Sequence, residues 1–226
     1  GLDLVTLVGL PVNVSGKLYN CAAVVCRGQL LGLVPKSHIP NYGEFYEKRH
    51  YCAAPAGVKD IRFAGQHVLF GTKLLFRCES MPEFTLAVEI CEDLWAPLPP
   101  STAHALAGAT VIANLSASDE TVGKAEYREA LVSQQSARLL CAYLYADAGH
   151  GESTTDMVFS GHNLIAENGA LLSESRPFAG GLACPELDLG RLLSERCRNT
   201  SFEPVTDGYE VVSFSLPMKE VPLTRH

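Results

Sequence analysis

The sequence predicts an α/β protein with mixed β-sheets, and three observations support this fold class. Apolar runs typical of strands alternate with segments typical of helices along the 226 residues. Turn residues between some of the strand-like runs predict hairpins, which occur in mixed rather than purely parallel sheets. Hydrophobic residues form 47% of the chain and charged residues 19%, a composition that excludes a disordered protein and allows a packed core.

The first half of the chain is predicted to consist mainly of strands. Turn signals at Ser15-Gly16 and Arg27-Gly28 divide its beginning into three apolar segments. The stretch 36–51 is polar, aromatic and too irregular to assign to one element. The predicted strands are residues 4–12, 18–26, 29–34, 66–70, 72–78 and 85–91.

The second half is predicted to alternate helices and strands. A short helix follows the proline-rich residues 99–101 and ends before Gly108. Residues 124–142 contain strong helix formers and no glycine or proline, and their apolar positions fit an amphipathic helix. The Asn-Gly dipeptide at 168–169 predicts a hairpin turn. The other predicted elements are strands at 111–115, 163–167, 170–174 and 182–187, a helix at 189–197 and a patterned segment at 209–216.

The charge and the cysteine pattern exclude several classes of protein. The formal net charge is −7, so no global positive field would attract nucleic acid. No apolar run approaches the ~20 residues that span a bilayer, and we identify no signal peptide. The eight cysteines include no C-x-x-C pair, and several lie in apolar runs, such as Cys21 and Cys26. We therefore expect a cytoplasmic protein with reduced cysteines and no membrane or nucleic-acid partner.

Cys91 is the most informative single residue. It ends an apolar strand and precedes Glu92, Asp93 and a proline-rich turn, and functional groups gather at such strand ends in α/β sheets. A thiol there can act as a nucleophile, while backbone N–H groups of the turn stabilise an oxyanion. The alternative is a buried structural cysteine, with the two acids capping the next helix. The local pattern allows both interpretations.

A nucleophilic thiol also needs a partner that takes its proton or stabilises the thiolate. None of the seven histidines lies in a motif that indicates a Cys-His pair. Lys36 directly follows a predicted strand, so its amine could point into a site from the end of a sheet. The alternative is an exposed lysine in a loop.

Four blocks of the sequence, in order, are KSHIPNYGEFYEKR, EICEDLWAPLPPS, GATVIANLSAS and GESTTD. Together they resemble the glutamine amidohydrolase domain of glutamine-dependent NAD synthetases, a domain of the nitrilase (carbon–nitrogen hydrolase) superfamily. The resemblance covers residues 18–174, about two-thirds of the chain, and several ordered blocks are far more specific than Lys36 or Cys91 alone. It implies a nitrilase-like four-layer α-β-β-α sandwich.

The resemblance implies a role for each matching residue. Cys91 matches the nucleophile that attacks the side-chain amide carbon of L-glutamine. Lys36 matches the lysine that holds the oxyanion together with the backbone N–H after the cysteine, here that of Glu92. Glu44 matches a glutamate that orients the lysine and the substrate. The positions that match contacts to the glutamine substrate are Tyr42, Ser118 and Lys124.

Two parts of the family pattern have no match in the sequence. The family's general base is a glutamate upstream of the lysine, whereas the only acid before Lys36 is Asp3. The loop S-G-G-x-D-S, which binds ATP phosphates in the synthetase domain, is also missing, since Gly180-Gly181 is followed by unrelated residues. The resemblance therefore implies a domain truncated at both ends, without part of its N-terminal strand and helix and impaired in activity by itself.

From the resemblance we expect residues 1–198 to form the glutaminase domain. Residues 199–226 are expected to be a C-terminal extension or the start of a connection to a synthetase domain. That absent domain would receive the ammonia and use ATP and magnesium, whereas no cofactor or metal is expected in this chain. Because superfamily members usually self-associate, homo-oligomers are expected as well.

Two other functions are compatible with the sequence. A chain without the general base could be a non-catalytic oligomerisation or regulatory module, or come from an incomplete gene model. Alternatively, the enzyme class is right but the substrate is another amide or a nitrile. The set Tyr42, Ser118 and Lys124 favours glutamine over that alternative.

Overall fold

The computed structural model describes residues 2–154 and 156–217, which form two β-sheets and several helices. The strands are β1 (Val5–Val14), β2 (Lys17–Cys26), β3 (Gln29–Pro35), β4 (Lys59–Phe63), β5 (Gln66–Phe70), β6 (Leu74–Cys78), β7 (Thr85–Ile90), β8 (Val111–Ser116), β9 (Ala142–Asp147), β10 (Leu164–Glu167), β11 (Ala170–Glu174) and β12 (Glu210–Phe214). The helices are α1 (Glu92–Trp95), α2 (Pro100–Leu106), α3 (Lys124–Leu139) and α4 (Leu189–Arg198), with 3-10 turns at Glu47–Arg49 and His150–Glu152.

Both sheets mix parallel and antiparallel pairs, as predicted. One has five strands in the order β1-β2-β3-β5-β4, and the other has seven in the order β11-β10-β9-β8-β7-β6-β12. In the larger sheet β7, β8 and β9 are parallel neighbours, with Ile90 opposite Leu115 and Ser116 opposite Asp147. Because parallel strands end at the same edge of a sheet, the residues that follow these three strands lie close together.

The main core lies between the two sheets and contains side chains such as Val24 of β2 and Val88 of β7. A second apolar cluster lies on the helix-facing side of the larger sheet and includes Val132 of α3 and Tyr143 of β9. Within the described ranges, the cluster on the other face of the smaller sheet contains only residues of that sheet's own strands. The α/β sandwich is therefore confirmed, and the described residues supply three of its expected layers.

The predicted helix over 124–142 ends earlier than expected. Helix α3 stops at Leu139, because Leu140 adopts a left-handed conformation with φ 46° and caps the helix. Strand β9 then begins at Ala142 and pairs with β8 in the middle of the sheet. Tertiary pairing therefore overrides the helical pattern at the end of this segment.

The strand predicted at 182–187 is wrong, since this segment contains no strand. It follows Gly180 and Gly181, whose φ values are 63° and 140°, so the chain turns there instead of extending. Pro185 has no N–H to donate to a strand ladder, and Leu182 is 90% exposed. The segment connects β11 to α4 as an irregular loop.

Part of the predicted extension at 199–226 is integrated in the larger sheet. Strand β12 pairs in parallel with β6, with Glu210 opposite Leu74, and Phe214 is buried in the core between the sheets. Residues 218–226 lie outside the described residues. The chain up to 217 therefore contributes to the same sandwich.

Candidate active site

Cys91 lies at a sharp turn between β7 and α1. Its backbone has φ 48° and ψ −102°, a conformation that is unusual for a residue with a Cβ. All six residues of β7 are buried, so the turn rests on a rigid support. This elbow presents Cys91, which is 8% exposed, at the carboxyl edge of the larger sheet.

Asp93 joins the elbow to the segment that contains Lys36. Its carboxylate accepts hydrogen bonds from the backbone N–H groups of Ser37 at 3.1 Å and His38 at 2.7 Å. It also accepts one from the N–H of Ile90 at 3.0 Å, at the end of β7. Asp93 is buried, and this burial raises the pKa of its carboxyl group above the usual range. One buried carboxylate therefore connects the two sequence blocks with candidate catalytic residues.

Lys36 is buried at the end of β3 and forms an ion pair. It is 3% exposed, and its Nζ lies 2.5 Å from Oε2 of Glu47. The other carboxylate oxygen of Glu47 accepts a hydrogen bond from Nδ2 of Asn20 at 2.6 Å. Because a buried ammonium is costly unless it is paired, Glu47 fixes both the charge and the position of Lys36.

The glutamate that holds Lys36 is thus Glu47, which differs from the expectation that Glu44 orients the lysine. Glu44 is exposed and lies in the wall of the cavity that Lys36 also lines. The cause is the path of the chain, which turns at Phe45, whose N–H donates to the Tyr42 carbonyl oxygen at 2.9 Å. The following 3-10 turn then places Glu47 against Lys36.

Two cavities meet at Cys91. The first, of about 220 Å³, is lined by Lys36, Glu44, Glu47 and apolar side chains that include Phe45. The second, of about 430 Å³, lies between strands β1 and β2 of the smaller sheet and the ends of β8 and β9. Its lining includes Cys91, Asp147 and Glu152. Glu152 belongs to the GESTTD block, of which Thr155 lies outside the described residues.

Tyr42 and Glu92 are joined beside the first cavity. The Tyr42 hydroxyl donates a hydrogen bond to Oε1 of Glu92 at 2.8 Å, and Tyr42 is 59% exposed. Burial of the hydroxyl and this hydrogen bond raise the pKa of Tyr42 above its ordinary value. Tyr42, Glu92 and Trp95 line a third cavity of about 650 Å³.

Ser118 is buried and bonded to protein groups. Its backbone N–H donates to Oδ1 of Asp147 at 2.8 Å, and its hydroxyl accepts from the Arg128 guanidinium at 3.5 Å. Arg128 is itself fully buried. The structure therefore places Ser118 next to the Cys91 edge of the sheet, with its hydroxyl directed to Arg128.

Lys124 lies behind the wall of the first cavity. It forms an ion pair with Asp119, and its Nζ lies 5.8 Å from the ring centre of Phe45 and 5.4 Å from that of Trp95. Phe45 lines the cavity at Cys91. Lys124 thus approaches the site through aromatic rings rather than by direct contact with Cys91.

Two carboxyl groups at the ends of β7 and β9 have raised pKa values. Burial raises the pKa of Glu89 to about 7 and that of Asp147 to about 6. Oδ2 of Asp147 has no hydrogen-bond partner within the described part of the chain. Asp147 lines the second cavity together with Cys91, and a carboxyl group that titrates near neutral pH there is suited to proton transfer.

Sequence reasoning missed several polar residues of the site, although three of the four blocks contain all but one of them. Glu47 lies in the same block as Lys36, and the residue pair Glu92-Asp93 follows Cys91 directly, but helix capping explained Asp93 equally well. No sequence signal distinguishes Asp147, at the end of β9, from the other acidic residues of the chain. The missed residues are Glu47, Asp93, Asn114 and Asp147.

The described residues contain no group of three His, Cys, Asp or Glu side chains that could hold a metal ion. Within the same ranges, no helix has the length and apolar character required to cross a membrane. The eight cysteines are all free, and Cys21 and Cys26 are buried as predicted.

The chain is similar over nearly its whole length to glutamine-dependent NAD(+) synthetases. It is 45% identical to the synthetase of Mycobacterium tuberculosis over 244 residues, which cover 99% of this chain and 36% of the relative. Over the region that it matches, the chain is a homologue of these synthetases. It spans about a third of the length of the curated relatives that it matches. No protein-family model matches the sequence.

Solved structures confirm the nitrilase-like fold. The structure of a glutamine-dependent NAD(+) synthetase from Cytophaga hutchinsonii matches with a TM-score of 0.68 and 31% identity, over 77% of this chain and 28% of that chain. The carbon–nitrogen hydrolase from Helicobacter pylori matches with a TM-score of 0.64 and 20% identity, over 88% of this chain and 67% of that chain. The second likeness concerns the fold alone. The sequence relatives of the chain are therefore enzymes.

Proposed function

We propose that this chain provides the glutaminase site of a glutamine-dependent NAD(+) synthetase, where Cys91 forms a thioester with the side-chain acyl group of glutamine and ammonia is released. The supporting observation is that the Cys91 elbow and the buried Lys36–Glu47 pair line one cavity. A thiol on a constrained turn beside a fixed ammonium group is suited to attack an amide carbonyl.

The proposed chemistry assigns one task to each of these groups. Sγ of Cys91 attacks the amide carbon, and the resulting oxyanion is stabilised by Nζ of Lys36 and the N–H of Glu92. Glu92 is the first residue of α1, and the first N–H groups of a helix have no acceptor within the helix. Collapse of the tetrahedral intermediate breaks the C–N bond, and the proton that the thiol gave up goes to the leaving nitrogen, so ammonia is released. Water then hydrolyses the thioester to glutamate and the free thiol.

Proton transfer is the step for which this chain offers no match to the family pattern. Asp3, the only acid before Lys36, is exposed and pairs with Arg27 at a distance of 3.3 Å. We therefore propose that the chain by itself forms the thioester slowly, and that modification of Cys91 rather than rapid turnover is the property to measure.

Recognition of the amino-acid end of glutamine is assigned to the third cavity, which adjoins the first one at Pro40 and Tyr51. Glu92 offers a carboxylate for an α-ammonium group, oriented by the Tyr42 hydroxyl. Lys124 offers a cation for the α-carboxylate, and Ser118 lies on the neighbouring strand end. In the whole protein, the ammonia would pass to a synthetase domain that uses ATP and magnesium, and self-association is proposed from the family.

Exposure to a glutamine analogue with an electrophilic diazoketone in place of the amide tests the proposal. Peptide mass spectrometry should find the adduct on Cys91, and excess glutamine should suppress it. The Cys197→Ser variant is a matched control, since Cys197 is an exposed cysteine of α4 outside all three cavities. Modification of other cysteines with Cys91 unmodified would contradict the assignment.

The choice between glutamine and another amide is tested by competition. Glutamine should protect Cys91 from the diazoketone, whereas simple aliphatic amides and nitriles at the same concentration should not. If aliphatic amides protected Cys91 as well as glutamine does, the result would support the alternative that the chain is a carbon–nitrogen hydrolase with another amide as its substrate.

A further inference from the structure

The backbone of Cys91 requires an external restraint. Its positive φ is a conformation that persists only where the surrounding structure fixes it. Asn114 of β8 contacts both polar groups of this backbone. Its Oδ1 accepts the hydrogen bond of the Cys91 N–H at 2.8 Å, and its Nδ2 lies 3.5 Å from the Cys91 carbonyl oxygen. Asn114 is 1% exposed, so water does not compete for these contacts.

Tyr143 and Glu89 determine which way the Asn114 amide faces. Nδ2 of Asn114 donates to the Tyr143 hydroxyl oxygen at 3.1 Å, and that hydroxyl donates to Oε1 of Glu89. The other carboxylate oxygen of Glu89 accepts the N–H of Ser101 at 2.7 Å. Because a backbone N–H only donates, the hydrogen bonds run in one direction from Cys91 to Glu89.

The three side chains lie on the helix-facing side of neighbouring strands and are shielded from both cavities at Cys91. Glu89, Asn114 and Tyr143 are each at most 1% exposed, and none of them lines those cavities. Tyr143 also packs within the apolar cluster between the sheet and the helices. Any influence on a substrate must therefore act through the backbone of Cys91.

We propose that Glu89, Tyr143 and Asn114 are positioning residues that hold the Cys91 elbow in its reactive geometry, an inference that rests on the proposed thioester chemistry. With the Cys91 N–H engaged by Asn114, the next N–H along the chain, that of Glu92, is left for the oxyanion. The hydrogen bonds from Cys91 through Asn114 and Tyr143 to Glu89 form a relay. Loss of one of them lets the elbow relax and displaces Sγ, which slows the covalent step without weakening substrate binding.

The test compares Tyr143→Phe with Tyr145→Phe. Tyr145 lies two residues further along β9, is equally buried, and its hydroxyl contacts Ser116 at 2.6 Å instead of Asn114. The rate of Cys91 modification is measured against the concentration of the diazoketone analogue of glutamine. We expect Tyr143→Phe to lower the maximal rate by about 10- to 100-fold, as displacements near 1 Å do, with a half-saturating concentration within about twofold of wild type. Tyr145→Phe should stay within about fivefold of the wild-type rate.

Equal maximal rates in the two variants would overturn the inference. If even the wild-type chain is not modified, the proposed function fails instead, and hydrogen exchange then decides about the relay. In Asn114→Ala the amide of Cys91 should exchange at least about tenfold faster than in wild type, while that of Ala87 in the preceding strand β7 keeps its rate. Unchanged exchange at Cys91 in this variant would equally overturn the inference.

Discussion

The backbone N–H of His38 donates a hydrogen bond of 2.7 Å to the carboxylate of Asp93, across 55 residues of sequence. The same carboxylate accepts the N–H groups of Ser37 and Ile90. It therefore links the chain directly after Lys36 to the strand that precedes the elbow. This buried side chain therefore connects the position of the candidate lysine to that of the candidate cysteine.

Asp93→Asn should destabilise the protein and move the segment that follows Lys36 away from the Cys91 elbow. The asparagine side chain has the same shape, but an NH2 group replaces one of the two carboxylate oxygens. Some of the backbone N–H groups that donate to Asp93 would therefore face a donor and lose their acceptor. We expect the free energy of unfolding to fall by about 2–4 kcal/mol, since the lost hydrogen bonds involve a charged acceptor. Urea unfolding followed by the fluorescence of Trp95, the single tryptophan, measures the change.

Glu92→Gln is the matched control for that substitution. Glu92 is the adjacent acid, but its side chain is only partly buried and its Oε1 accepts from the Tyr42 hydroxyl. Its substitution should change the free energy of unfolding by less than about 1 kcal/mol. Equal losses in the two variants would show that Asp93 is not the link between the blocks.

Glu47 and Glu44 can be distinguished by their effect on stability. Glu47→Gln leaves the buried Lys36 ammonium without an anionic partner, so the free energy of unfolding should decrease by about 2–4 kcal/mol. Glu44→Gln changes an exposed side chain and should stay within about 0.5 kcal/mol of wild type. Urea unfolding of both variants gives the comparison. A larger loss of unfolding free energy in Glu44→Gln than in Glu47→Gln would show that Glu44, rather than Glu47, pairs with Lys36.

The strands were predictable where apolar residues dominate them, and less so elsewhere. Strand β7 is buried at every position and was evident from its composition. Strand β4 escaped prediction because Lys59, Asp60 and Arg62 make it polar, as suits a strand at the edge of a sheet. Strand β9 was missed because the preceding helical pattern continues to its first residue, and only pairing with β8 identifies it.

The candidate site was predictable at the residues to which the resemblance gives a role, but not at the residues that support them, even where these lie in the same blocks. Cys91 and Lys36 follow strands, so their place at the sheet edge could be inferred from the sequence. The choice of Glu47 over Glu44 depends on a 3-10 turn that the irregular sequence at 36–51 did not indicate. The partners of Asp93 are backbone N–H groups, which every residue possesses and no sequence pattern distinguishes.

The cysteines should differ widely in their reactivity toward iodoacetamide at pH 8. Burial raises the pKa of Cys21 and of Cys141 to about 12, so only about one thiol in ten thousand is a thiolate at that pH. These two should remain unmodified in the folded protein, as peptide mass spectrometry would show. The exposed cysteines, which should react first, are Cys52, Cys184 and Cys197. Rapid modification of Cys141 without unfolding would contradict its burial.

Glu89 should make the stability of the protein depend on pH. Burial raises the pKa of Glu89 from 4.5 to about 7, although hydrogen bonds from Tyr143 and Ser101 oppose this shift. Between these pH values the folded state binds more protons than the unfolded state, so the free energy of unfolding falls as the pH rises. This contribution is complete below about pH 4.5 and lost above about pH 7, with a magnitude on the order of 3 kcal/mol.

Urea unfolding at a series of pH values from 4.5 to 8 isolates this contribution. Glu89→Gln cannot ionise, so the decline that Glu89 causes between pH 4.5 and 7 should disappear in this variant. Glu126→Gln, at an exposed glutamate of α3, should retain the wild-type pH dependence. If Glu89→Gln and wild type lose stability in parallel over this range, Glu89 is ionised throughout, and the decline has another source.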